Sequence, residues 1–437
     1  PKLDYNFQMA RIYGEQGDID KMYRSYIKLI IEEKSSLSNV LRNFDDFITS
    51  DPENENNIKL KTILLEGAQK NPNLRWNELL SWLFVQQKQY NSAFRQEKAI
   101  FKRMDGSSVY RLKNLGELAL EDSDLEVAQS IFEYIVENTN DQVTKLNAQL
   151  NLIDIQLLNP EKKTLDDVQK QYEELIAIHG YKSQTLQLQI AYANFLTFKK
   201  DSPEPAIDIL KKLLTENPKN ETVIYELAFC YNLKNDTESS IDFFKSFVDE
   251  YPYNFSAWYN LGAAYNRAGL YEKAIDAYDF TIAIKEEFAS AYFNKANSLA
   301  LLEKYKEAIE TYKETFVYEE PDATTYYYIG ECYEKLNNAD LAASNYYKAT
   351  KLDPFHADAW AGMAVINEAQ DKSQSAIFYI KKALELENSN SEYWYIYGDI
   401  LAKTGLQEEA LTAYNKVIEF DEENEDIWID KAELIRD

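Results

Sequence analysis

The chain has 437 residues, with 47 Lys and Arg against 74 Asp and Glu, a formal net charge of −27. That length is too great for one compact core, although the 45% apolar share suits an ordered protein, and no apolar run approaches the roughly 18 residues of a membrane-spanning helix. The missing apolar run sets the expectation of no membrane insertion, and charge of this sign, which repels phosphate backbones and anionic lipid, sets the expectation of no nucleic-acid partner, above all for the second half. The asymmetry is strong: residues 1–220 carry 28 basic and 33 acidic side chains, residues 221–437 carry 19 and 41. High charge also serves the solubility of a long exposed surface.

Taken in order, the first helical hairpin spans residues 3–36, with Met9, Ala10, Tyr13, Gly17, Met22 and Tyr26 on a frame that recurs later. Residues 37–73 predict a looser pair, with helices near 37–49 and 56–70 separated at Asp51-Pro52, since proline disfavours helix in the residue before it. Residues 74–107 return to the frame through Leu80, Ser81, Phe84, Tyr90 and Ala93, and residues 108–142 through Leu112, Leu115, Gly116, Ala119, Ala128 and Phe132. In 143–184, Asn159-Pro160 ends the first helix, residues 165–178 make the second, and His179-Gly180 supplies its stop. Residues 185–220 fit less well, through Tyr192, Ala193, Leu196, Ala206 and Leu210, with a long turn expected over 199–205.

From 221 the spacing is strict. Trp258, Tyr292, Tyr326, Trp360, Trp394 and Trp428 are 34 residues apart, as are Gly262, Ala296, Gly330, Ala364, Gly398 and Ala432. Ala274, Ala308, Ala342, Ala376 and Ala410 keep the same step. Small residues let two antiparallel helices approach, and large ones fill the layer between one hairpin and the next. A single hairpin cannot bury both sides of that layer, so the period predicts a stack. Residues 425–437 add one further helix, read as a cap over the last apolar face or as a cut repeat.

Trp258, Leu261, Gly262, Tyr265, Ala274 and Tyr278 form the pattern W-x2-L-G-x2-Y followed by A-x3-Y, which resembles the tetratricopeptide repeat (TPR) family. The resemblance implies an all-α fold, a right-handed α-solenoid of about twelve helical hairpins plus a final helix. The expected organisation is 1–220 irregular repeats, 221–424 a regular array and 425–437 the final helix. Residues 5–23 and 77–94 resemble uncharacterised bacterial members that often carry export signals, and the array from 221 is similar to a soluble bacterial group. Pro1 in place of Met, with no visible signal peptide, leaves the compartment unknown: cytoplasmic is favoured for the second half and periplasmic is compatible.

Material for catalysis is scarce. His179 and His356 have no recognisable partner in sequence, and His179 at a helix end suits the helix dipole. No metal-ligand spacing or glycine-rich phosphate loop is present, so the expectation is no catalytic, metal or cofactor site. Acids paired at repeat junctions, such as Glu319-Glu320, read as solvated. Cys230 and Cys332 occupy the same place three repeats apart. Helices stack about 8–10 Å apart and a disulfide needs Cα atoms within about 7 Å, so this pair cannot bridge.

In the TPR family the second, fifth, ninth, twelfth and thirteenth places of a repeat face a concave groove. The fifth place here reads Tyr225, Tyr259, Phe293, Tyr327, Ala361 and Tyr395, an aromatic stripe with one gap. Phe229, Asn297 and Glu331 stand at the ninth place, Asn266 at the twelfth and Lys335 at the thirteenth. These residues are the candidate partner-binding set: rings give contact area, while amides and charges fix register. The alternative is that the rings only pack. The family's carboxylate clamp is disfavoured, because its lysine and asparagine places hold Tyr225, Phe229, Tyr259 and Ala263. An asparagine ladder has only two rungs, Asn260 and Asn294.

A second candidate surface is basic: Lys88, Arg95, Lys98, Lys102, Arg103, Arg111 and Lys113 against Glu97 and Asp105. Arg95, Lys98 and Lys102 share one helix face. This surface either docks an acidic partner, including another copy, or is an ordinary solvated helix. The reading is therefore a non-catalytic scaffold for a protein or peptide partner. The alternatives are a self-associating structural subunit of a larger bacterial assembly, and an arm of an enzyme.

Overall fold

The structure is a computed structural model that describes residues 6–104, 109–158, 164–180, 183–421 and 426–436. Among the described residues the regular elements are all helical, twenty-five α-helices and one short 3-10 turn. The chain divides into two compact units, Pro1–Ser202 and Pro203–Asp437.

The first unit contains α1 (Asn6–Glu15), α2 (Ile19–Ile31), α3 (Leu37–Leu41), α4 (Glu55–Lys70), α5 (Leu74–Gln86), α6 (Tyr90–Arg103), α7 (Val109–Glu121), α8 (Leu125–Asn138), α9 (Gln142–Leu158), α10 (Leu165–His179) and α11 (Leu186–Phe198). Its core runs through Met22, Tyr26, Phe44, Leu79, Leu115 and Phe132, all buried. The α10 boundaries follow the sequence signals. Thr164 and Asp167 close a capping box at its start, and Gly180 follows its end with φ 68°, in the left-handed region open to glycine. The Asn159-Pro160 stop lies outside the described residues.

One expected helix is cut short. Residues 37–49 yield only five α-helical residues, because nearby side chains compete for the backbone. Asn43 Nδ2 donates to the Asn39 carbonyl at 2.7 Å, and the chain continues in tighter i→i+3 turns through Phe44 N–H to Leu41 O. The buried Asn57 then fixes the turn by donating to the carbonyls of Thr49 and Asp51.

The second unit contains first helices α13 (Glu221–Leu233), α15 (Phe255–Arg267), α17 (Ala289–Leu301), α19 (Ala323–Lys335), α21 (Ala357–Ala369) and α23 (Ser391–Lys403). Second helices are α12 (Pro203–Glu216), α14 (Thr237–Glu250), α16 (Tyr271–Ile284), α18 (Tyr305–Tyr318), α20 (Ala339–Leu352), α22 (Ser373–Leu386) and α24 (Gln407–Phe420), with α25 (Asp426–Arg436) last. The second helices start 34 residues apart from Pro203 onward, so the strict register begins one helix before 221. The turn expected over 199–205 spans 199–202, still one residue longer than the 234–236 turn of the next hairpin. Pro203 is the first residue of α12, where its missing N–H has no intrahelical partner to lose.

The same capping chemistry repeats with the period. Asn220, Asn254, Asp322, His356 and Asn390 each precede a first helix and accept a backbone N–H from its opening turn. Each hairpin turns through one residue with positive φ: Asn235, Gly269, Glu303, Asn337, Asp371 and Gly405. Only two of these are glycine. Glu303→Gly removes the Cβ penalty at φ 60° and is expected to stabilise the unit by about 0.5–1 kcal/mol; a denaturant midpoint that fails to rise contradicts this.

Packing explains the small residues. Ala274, Ala308, Ala342, Ala376 and Ala410 are fully buried. A Cβ on Gly262 would lie 2.7 Å from the Tyr278 ring, and one on Gly398 2.4 Å from that of Tyr414. Tyr346 is held on both faces, by Gly330 of its own repeat and by Gly362 of the next, with 2.7 Å to an added Cβ on either. Cys230 and Cys332 are buried and neither is in a disulfide. Burial pushes the Cys332 thiol up to about 12.

Candidate partner-binding face

Successive first helices of the second unit touch one another, α13 with α15, α15 with α17, α19 with α21 and α21 with α23. Their fifth-place side chains fall along this row. Tyr225, Tyr259, Phe293, Tyr327 and Tyr395 are each half-buried, whereas Ala361 is buried. The rings both pack and present an edge. Tyr259 meets Tyr225 at 6.3 Å and Phe288 at 5.1 Å between centroids, and its hydroxyl accepts from Asn294 Nδ2 at 2.8 Å. Phe293 lies edge-on to Tyr312 and Tyr328, 5.6 Å from each. Tyr395 packs on Tyr414.

The polar candidates are drawn into this framework. Asn266 Nδ2 donates to Ser298 Oγ of the next repeat at 3.0 Å, and Asn297 accepts from the Tyr312 hydroxyl. Phe229, at 40% exposure, is the most open ring of the set. Two clefts result. One, of about 330 Å³, joins Tyr259, Phe293 and Asn294, with the junction acids Glu319, Glu320 and Asp322 along its edge. The other, of about 210 Å³, brings together Tyr327, Glu331 and Lys335 from the candidate set.

The second cleft is built by stacking. α19 supplies Glu331 and Glu334, α21 supplies Asp358, and α23 supplies Glu392. Each of three phenols donates to one carboxylate: Tyr327 to Glu331 Oε1 at 2.9 Å, Tyr346 to Glu334 Oε2 at 2.7 Å and Tyr393 to Asp358 Oδ1 at 2.5 Å. Asp358 and Glu392 were missed by reading only the fifth, ninth, twelfth and thirteenth places; both stand at the second place, which the same frame directs inward. Tyr393 gives no such signal, since its role depends on a neighbour 35 residues away.

Burial, reinforced by the charges of Glu334 and Asp358, holds the Glu331 carboxyl above the usual carboxylate range, against the bond from Tyr327. An acid whose pKa rises on folding binds a proton more readily when folded, so stability increases as pH falls through the raised value. Glu331→Gln is therefore expected to raise the melting temperature at pH 7, with the advantage shrinking as pH approaches the unfolded value of about 4.3. An advantage that persists unchanged at that pH would contradict the assignment.

The remaining sequence candidates have structural employment. His356 Nδ1 caps α21 by accepting the Ala359 N–H at 3.3 Å, and its ring packs 5.0 Å from Tyr327. His179 is the last residue of α10. Of the basic surface of the first unit, Lys88 pairs with Asp122 at 2.9 Å, Arg103 donates to Asn77, Arg111 binds Glu97 and Lys98 lies over the Phe94 ring at 4.3 Å, while Arg95 and Lys102 are exposed. Among the described residues no helix is long and apolar enough to cross a membrane.

Comparison with known proteins identifies the repeats. Tetratricopeptide repeat models match residues 357–390 and 391–424, and residues 234–281 and 293–357. No curated protein matches the sequence. Among solved structures, a tetratricopeptide repeat protein from Parabacteroides merdae is 16% identical, covering 58% of this chain and 100% of its own, with a TM-score of 0.45. The Cut9–Hcn1 hetero-tetramer of the APC/C is 14% identical over 100% of this chain and 90% of that one, with a TM-score of 0.42. YrrB, described as a TPR protein with an unusual peptide-binding site, is 19% identical over 43% and 97%, with a TM-score of 0.36. With family matches to four stretches between residues 234 and 424 and one repeat frame running through them, the chain is a tetratricopeptide-repeat protein.

Proposed function

We propose that the chain, a protein-interaction scaffold by its repeats, holds a partner protein or peptide along the first-helix face of residues 203–437 and performs no catalysis there. The observation that carries this reading is the row of half-buried rings beside two open clefts on that face. Rings already packed against neighbours present contact area at little entropic cost on binding, and the amides and carboxylates between them discriminate register.

The test uses purified chain to capture partners from lysate of the source cell, compared with Tyr259→Ala combined with Phe293→Ala. Loss of one dominant partner, with the helical circular dichroism kept, supports the groove. Capture that is indifferent to both substitutions sinks it. Recovery of the chain alone, with a mass that grows with concentration in light scattering, favours the self-associating subunit instead.

A further inference from the structure

We infer that the cleft between α19, α21 and α23 receives a cationic side chain, a lysine or arginine of the partner segment lying in the groove. The inference deepens the proposed function and rests on it. The groove opens here for a local reason. Every other fifth place in the array carries a ring, whereas this repeat carries Ala361, followed by Gly362. Both line the cleft, with Val365 and Ile396 completing its apolar floor. The missing ring leaves a space of about 210 Å³, suited to one long side chain rather than to a backbone segment.

Charge selects the occupant. Glu331, Glu334, Asp358 and Glu392 face a single ammonium, that of Lys335. Acids on second helices are handled differently: Glu310, Glu385 and Glu419 each pair with a lysine three residues away. Among the described residues no salt bridge reaches any of the four cleft acids. Three accept phenol hydrogen bonds instead, which orient a carboxylate without neutralising it. An apolar side chain entering the cleft would strip water from these charges at a cost, and an acidic one would be repelled. A guanidinium or ammonium gains from the carboxylates and from the half-buried ring of Tyr327.

The experiment selects from a displayed library of short random peptides on the full chain. The expected result is a set of binders sharing a lysine or arginine whose replacement by norleucine weakens binding by about tenfold or more. Ala361→Tyr, which restores the ring found at this place elsewhere, should weaken the same peptides by a similar factor while leaving every carboxylate present. That variant separates a shaped site from general attraction to an acidic chain. Should Ala361→Tyr fail to fold, Glu334→Gln with Asp358→Asn gives the same decision. Binders that are lost in Tyr259→Ala/Phe293→Ala but share no basic residue, or that ignore both cleft variants, overturn the inference and leave the groove reading standing. Binders indifferent to all of these substitutions overturn both.

Discussion

Arg111→Ala is expected to destabilise the first unit by about 3–5 kcal/mol, because it strands a buried carboxylate. Glu97 is only 4% exposed. Its two oxygens accept Nε and Nη2 of Arg111, each at 2.7 Å, and Ser81 Oγ donates at 2.5 Å. These groups come from α5, α6 and α7, so one fork joins three helices. The bond to Glu97 raises the Arg111 pKa above its already high ordinary value, against the opposing effect of burial. Arg111→Lys is expected to recover little, since an ammonium cannot form the two parallel bonds. Replacing both partners by methionine should restore most of the loss, because neither charge of the fork is then left buried alone and the neighbouring Glu78 keeps Arg75 at 2.7 Å. Urea unfolding with hydrogen exchange over residues 74–138 checks this; a loss below about 1 kcal/mol would place the pair among ordinary surface bridges.

Tyr312→Ala is expected to cost the second unit about 3–5 kcal/mol, the range for emptying a buried aromatic site. Tyr312 is essentially inaccessible. Its ring stacks on Tyr328 at 6.0 Å with 10° between planes, receives the edge of Phe293, and its hydroxyl reaches Asn297. The side chain thus bridges α17, α18 and α19. In a stack where each repeat contacts only its neighbours, the damage should appear as faster exchange in those helices first. Tyr312→Phe keeps the ring and loses only the hydroxyl bond, worth about 1 kcal/mol. Equal losses for the two variants would contradict the packing account.

The array was legible because its determinants are local. Gly262 and Tyr278 are sixteen residues apart, and the same complementarity recurs in Gly330 with Tyr346 and Gly398 with Tyr414. The shortened α3 was not legible, since nothing in apolar spacing reports that Asn39 and Asn43 bind the backbone. The ring stripe could be read from one place in the frame. The acidic cleft could be read only in part, because Glu331 and Asp358 belong to adjacent repeats and meet only through stacking. Ala361 registered in the sequence as a gap; the structure turns that gap into space.

The clamp on Tyr346 bears on how freely this chain can gain or lose repeats. Caps and turns recur at fixed places, so excising most whole repeats joins like ends to like ends. Removing residues 357–390 is different. It would bring Ile396, which holds the place of Gly362 in the following repeat, against a ring that leaves room for no Cβ. The repeats beginning at 323 and 357 are therefore a matched pair, inherited or transplanted together, and the order of modules in this stretch is not interchangeable.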